Sequence, residues 1–123
     1  MGKARGLVVE EWLDCVDSLK VREFEVPEVE NGEVEVEVFA VGANFFDILL
    51  VQGKYQFKPS FPFIPGAEFA GIVTKIGEGV NEFKVGDRVL GGGHSGAYAE
   101  KIVVSTVQVY FLFSFLCFFY LFC

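Results

Sequence analysis

The clearest pattern along the chain is a period of two. In "EVEVEVFAV" (residues 33–41), Glu33, Glu35 and Glu37 alternate with Val34, Val36 and Val38, which predicts a strand with one wet face and one dry face. The run "LKVREFEV" (residues 19–26) alternates more weakly, and the turn dipeptide Asn31-Gly32 stands between the two. They are expected to pair as neighbouring antiparallel strands. Further on, "EFAGIVTKIG", "GDRVLG" and "AYAEKIVV" are short β-prone runs separated by glycines. Several short strands at close spacing predict a mainly β fold, a small barrel or sandwich.

One helix interrupts the strands. In "GANFFDILLVQG", Asn44 can serve as N-cap, with Asp47 three residues on in the position of a capping-box acid. Phe45, Ile48, Leu49 and Gln52 fall at helical spacing, and Gly53 is a natural stop. Pro59, Pro62 and Pro65 then impose an extended, non-helical connection.

Composition changes the picture at one end only. The chain has 123 residues, enough for one domain with its own core. Six of its fifteen phenylalanines lie in the last thirteen residues, "FLFSFLCFFYLFC". A net charge of −7 argues against nucleic acid as a partner, since phosphate binding needs Lys and Arg. The three cysteines (Cys15, Cys117, Cys123) form no disulfide framework, which favours a reducing, cytoplasmic setting. The N-terminus lacks the apolar core of a secretory signal, and Gly6 stands where a myristoylation motif needs Ser or Thr.

The candidate chemistry thins out on inspection. "GGGHSG" (residues 91–96) matches G-x-G-x-x-G, but a dinucleotide loop needs a helix after it, and the β-prone "AYAEKIVV" follows. A glycine-rich loop between strands is expected there. With one histidine (His94), one cysteine outside the tail and no C-x-x-C pair, the chain lacks the ligands of a zinc site. Glu68, inside the apolar "PGAEFAG", is then either a general acid or base or a bracing carboxylate. The bracing role is favoured, with backbone amides, Lys75 or Arg88 as partners. Taken alone, Asn44 reads as a helix cap and Tyr55 as a loop aromatic.

Five motifs in order carry more. These are N-x-x-D (Asn44, Asp47), G-x-Y (Gly53, Tyr55), P-x-x-P-G-x-E-x-x-G (Pro62, Pro65, Gly66, Glu68, Gly71), V-G-D-R-V (with Gly86 and Asp87) and G-A-Y-A-E (Gly96 to Glu100). Together they resemble the medium-chain dehydrogenase/reductase superfamily, and within it the zinc-independent quinone oxidoreductase group. The resemblance implies a GroES-like barrel over residues 1–110, the alcohol dehydrogenase-like N-terminal catalytic domain, without the Rossmann domain that follows it in the family. It implies NADPH as cofactor, without zinc, and a quinone or conjugated carbonyl compound as small-molecule substrate. Asn44 and Tyr55 would line the cleft as catalytic and cofactor-contacting residues, with hydrogen bonds to developing oxyanion charge. Asp47, Gly66, Glu68, Gly71, Gly86 and Asp87 would be structural. Where the zinc-dependent alcohol dehydrogenases carry Gly-His-Glu, this chain has Gly66-Ala67-Glu68.

The apolar tail, residues 111–123, departs from the family. It reads as the product of intron read-through or a faulty gene model, as a tail anchor in a membrane, or as a core element. The expectation is a catalytic-domain fragment without NADPH-dependent activity by itself. The alternative is a non-enzymatic barrel acting by interaction.

Overall fold

The structure is a computed structural model and describes residues 2–112. Seven strands, one α-helix and two short 3-10 turns follow one another among these residues. Strands β1 (Lys3–Leu7) and β2 (Val21–Glu25) form an antiparallel ribbon. A five-stranded antiparallel sheet has the order β6-β3-β4-β5-β7, built from β3 (Glu33–Gly42), β4 (Glu68–Ile76), β5 (Arg88–Gly92), β6 (Lys101–Ser105) and β7 (Val109–Phe111).

Chain connectivity makes this sheet a barrel. Its two edge strands, β6 and β7, are joined by only Thr106–Gln108. Three residues reach at most about 10 Å, so the edges must come close together and the sheet must curl. The curl encloses Val34, Val36, Phe69, Val73, Val89 and Ile102 with their neighbours. A second, smaller cluster lies under α1 (Phe45–Val51), where Val9, Leu50, Val51 and Phe63 pack together. The fold is mainly β with one helix, a GroES-like barrel.

Three expectations need correction. β2 pairs with β1 and not with β3. Pro27, two residues after the end of β2, offers no N–H to extend a ladder. The Asn31-Gly32 turn bonds elsewhere, Gly32 donating to the Glu78 carbonyl. Glu35 does not sit on a wet face: it is 1% exposed, because Lys75 and Lys101 from the flanking strands close over it. The helix faces inward with Asp47, Leu50 and Val51, leaving Phe45 and Ile48 exposed. The strand in "AYAEKIVV" is shorter than the run, beginning only at Lys101.

The remaining motif residues have plain geometry. Gly71 lies where β3 and β4 approach so closely that a Cβ would run into the Glu37 carbonyl. Gly86 takes a φ of 95° in the turn before β5, a conformation that favours glycine. Asp87 closes that turn, accepting from the Lys84 N–H at 2.9 Å and pairing with its ammonium at 2.8 Å. The "GGGHSG" segment leaves β5 and runs as a loop toward β6, with no helix after it. The expectations for the apolar tail beyond Leu112 lie outside the described residues.

Candidate functional site

Asn44 is the N-cap of α1, extended at φ −125°. Its N–H donates to Asp47 Oδ2 at 2.9 Å, the acid half of a capping box. Tyr98 reaches the same oxygen from the segment between β5 and β6, its hydroxyl donating at 2.6 Å, with the Gly42 carbonyl 3.2 Å from that hydroxyl. Asp47 is 5% exposed, and its other oxygen, Oδ1, is buried without a hydrogen-bond partner. The Asn44 side-chain amide donates to Glu68 Oε2 at 3.1 Å.

Each of these groups is held in place by the fold. Gly42 and Glu68 are opposite partners of β3 and β4, and the missing Cβ of Gly42 leaves the space that the Glu68 carboxylate fills. Tyr98 is gripped from two sides. Leu7 N–H donates to its carbonyl at 2.9 Å, and its own N–H donates to the Pro65 carbonyl at 2.9 Å. Gly66, at φ 105°, lies so near that a Cβ would come within 2.5 Å of the Tyr98 ring. Burial, followed by the Asp47 carboxylate beside it, pushes the Tyr98 phenol far above its ordinary range.

The side chains of Ala43, Asn44, Phe45, Asp47, Ile48 and Tyr98 line a cleft of about 390 Å³. Its walls are apolar and its polar end is the Asn44–Asp47–Tyr98 cluster. A groove of about 690 Å³ shares Ala43 and Tyr98 with it and continues over the exposed Phe39 and Val41 of β3. The structure therefore brings Asn44, Asp47 and Glu68 together. Tyr55 is not among the residues lining this cleft; its ring stands edge-on to Phe46 at 4.5 Å.

Glu68 is exposed and braced by Asn44, while Lys75, one of its expected partners, is engaged with Glu35 at 3.3 Å. Arg88, the other, lies on β5 opposite Ile72, four residues along β4 from Glu68. His94 lies against Phe57, ring centres 5.1 Å apart. Among the described residues, no three His, Cys, Asp or Glu side chains gather as a metal-binding set. Tyr98 was missed as a site residue. The only signal for it was its place in "GAYAE", because its partner Asp47 is 51 residues away.

Comparison with known proteins agrees with this geometry. Residues 30–112 match the alcohol dehydrogenase GroES-like domain. The chain is 40% identical over 81 residues to the synaptic vesicle membrane protein VAT-1 homolog of Homo sapiens, covering 66% of this chain and 21% of that protein. It is 44% identical over 85 residues to quinone oxidoreductase-like protein 2 of Mus musculus, covering 69% and 24%. The solved quinone oxidoreductase of Pseudomonas syringae superposes with a TM-score of 0.83 at 34% identity, covering 90% of this chain and 34% of that one. The chain thus spans well under half the length of each.

Proposed function

The chain belongs to the alcohol dehydrogenase GroES-like domain family, and from that premise we propose that it is the catalytic domain of a zinc-independent, NADPH-dependent quinone oxidoreductase. The observation that carries this reading is the apolar cleft ending in a fixed Asn44. The helix cap, the Asp47 carboxylate and Glu68 hold that residue in one orientation. Pre-organisation of this kind is what a reductase domain contributes, since the hydride chemistry belongs to NADPH when bound. The walls of Ala43, Phe45 and Ile48 suit a flat ring, and the exposed groove beyond them suits a larger partner surface.

The substrate class is a quinone or conjugated carbonyl compound, in line with the 44% identity to a protein named quinone oxidoreductase-like. Ala67 takes the place of a zinc-ligating histidine, and the role of Glu68 is to brace Asn44. We place the protein in the cytoplasm. Among the described residues no helix is long and apolar enough to cross a membrane.

Residues 1–123 alone are expected to show no NADPH-dependent turnover, because they cover only about a third of a solved quinone oxidoreductase. A chimera tests the activity itself. Residues 1–112 would replace the matching segment of the Pseudomonas syringae enzyme, and NADPH oxidation by simple quinones would be followed by absorbance. Turnover that falls at least tenfold in Asn44→Ala is the expected result. A folded chimera that binds NADPH but reduces no quinone or enone sinks the proposal.

A further inference from the structure

Two hollows lie apart from the cleft at α1 and share none of its lining residues. The larger, about 420 Å³, is walled by Val8, Phe24, Pro27, Phe63, Ile64 and Val103, apolar residues from around the β1–β2 ribbon, the proline-rich connection and β6. The smaller, about 150 Å³, lies between the "GGGHSG" segment and Gln108. Ser95, Ile102 and Val103 border both, so the two lie side by side.

The smaller hollow is rich in donors and free of acids. No carboxylate, lysine or arginine borders it, and His94 is its one ionisable residue. Its segment is pinned at both ends: the Gly93 N–H donates to the Ala67 carbonyl at 2.8 Å, and the Gly96 N–H to the Ile64 carbonyl at 2.6 Å. Between them, the His94 and Ser95 N–H groups have no backbone acceptor among the described residues. The side chains of Ser95 and Gln108 make no hydrogen bond to the protein there either, and they are not sealed from solvent. Gly93 lacks the Cβ that would stand 3.1 Å from the Gln108 amide nitrogen, so that amide can lie over the segment. A fixed group of N–H and O–H donors without a competing acid suits an anion. In the larger pocket the Lys101 ammonium is held by Glu35 at 3.1 Å. Glu25, which also borders it, shares its ribbon face with Lys3, opposite to Phe24.

We propose that the paired hollows form a second ligand site, which takes a small amphipathic monocarboxylate. Its apolar chain fills the larger pocket, and its carboxylate sits in the smaller one against Ser95, Gln108 and the His94 segment. The volume is within the range of small-molecule sites. The inference stands apart from the reductase reading, because no residue lining the α1 cleft takes part.

Octanoate, octanol and octylammonium share one chain and differ in the charge of the head group. Each would be titrated below its micelle concentration against the full 123-residue chain at low salt, while the amide chemical shifts of Phe24, Ser95, Gly96 and Val103 are followed. The expected order is octanoate, then octanol, then octylammonium, with about tenfold between the first two, because hydrogen bonds to a charged group are the stronger ones. Hexanoate should bind roughly tenfold more weakly than octanoate, about threefold for each methylene withdrawn from the apolar walls. Ser95→Asp sets a second carboxylate beside the ligand's own and should weaken octanoate by about tenfold, while octanol stays within about twofold. Octylammonium binding as tightly as octanoate overturns the proposal, as does an absence of shifts at these four amides or an equal affinity for hexanoate and octanoate. Should the variant fail to fold, the wild-type order and the chain-length dependence decide. None of these results bears on quinone reduction by the chimera, so the two ideas fail separately.

Discussion

Removing one oxygen atom, in Tyr98→Phe, should cost this domain a measurable part of its stability. The hydroxyl donates to a carboxylate that is 5% exposed, and water has little access to replace it. After the substitution Asp47 keeps only the Asn44 N–H, since Oδ1 has no partner already. A hydrogen bond to a buried charged group contributes about 1.5–3 kcal/mol. The phenyl ring itself stays packed against Gly66, so no cavity term is added. We take about 2 kcal/mol. With an unfolding entropy of roughly 2 cal/mol/K per residue, a folded unit of this size should lose about 9 °C in Tm.

The assay is a double-mutant cycle of Tyr98→Phe and Asp47→Asn, read by denaturant and thermal unfolding. The pair shares one bond, so the double variant should fall short of the summed single effects by about 1 kcal/mol or more. The pH dependence gives a second reading. The Tyr98 phenol is raised in the folded state above its unfolded value near 10, so the folded chain binds this proton more tightly. Its contribution is complete below about pH 10 and fades as pH climbs above that. Wild type should therefore lose more stability above pH 10 than Tyr98→Phe does. A variant within about 0.5 kcal/mol of wild type, or strict additivity in the cycle, would refute the reasoning.

Two further predictions concern the neighbouring strands. Glu35→Gln should destabilise by about 2 kcal/mol at neutral pH, since Glu35 accepts from Thr74 at 2.8 Å, Lys101 at 3.1 Å and Lys75 at 3.3 Å while almost fully buried. Burial works against its ionisation, but these three donors together outweigh it and hold the carboxyl below its usual range. Its contribution is then present above the unfolded pKa near 4.3 and is lost as pH falls through the folded value. The gap between wild type and variant should close below about pH 4 in acid-unfolding curves, and a constant gap would contradict this. Gly42→Ala should displace the Glu68 carboxylate, whose space it takes, and so release Asn44. Because Glu68 is exposed and can swing aside, stability should change by less than about 1 kcal/mol. The side-chain amide resonances of Asn44 should shift as that bond is lost, and unaltered resonances would count against the Asn44–Glu68 link.

What could be read from the chain divides by distance along it. The cap of α1 was legible because Asn44 and Asp47 are three residues apart and their bond is local. The alternation of β3 was legible too, but it describes only which side chains share a face, not what lies over that face. Glu35 shows the difference: its partners are Lys75 and Lys101, on strands that flank β3 only once the sheet has formed. The helical spacing of Phe45 and Ile48 likewise says nothing of which face is covered, since the core under α1 is supplied by Val9 and Phe63 from elsewhere. Tyr98 is the sharpest case. A tyrosine in a glycine-rich loop carries no hint of Asp47, and the contact exists because Leu7 and Pro65 both hold the Tyr98 backbone. The cleft therefore arises where a local motif, readable in four residues, meets a side chain delivered by three remote segments. The orientation of Asn44 belongs to that meeting, because its amide and its backbone N–H are fixed only when Glu68 and Asp47 close around it.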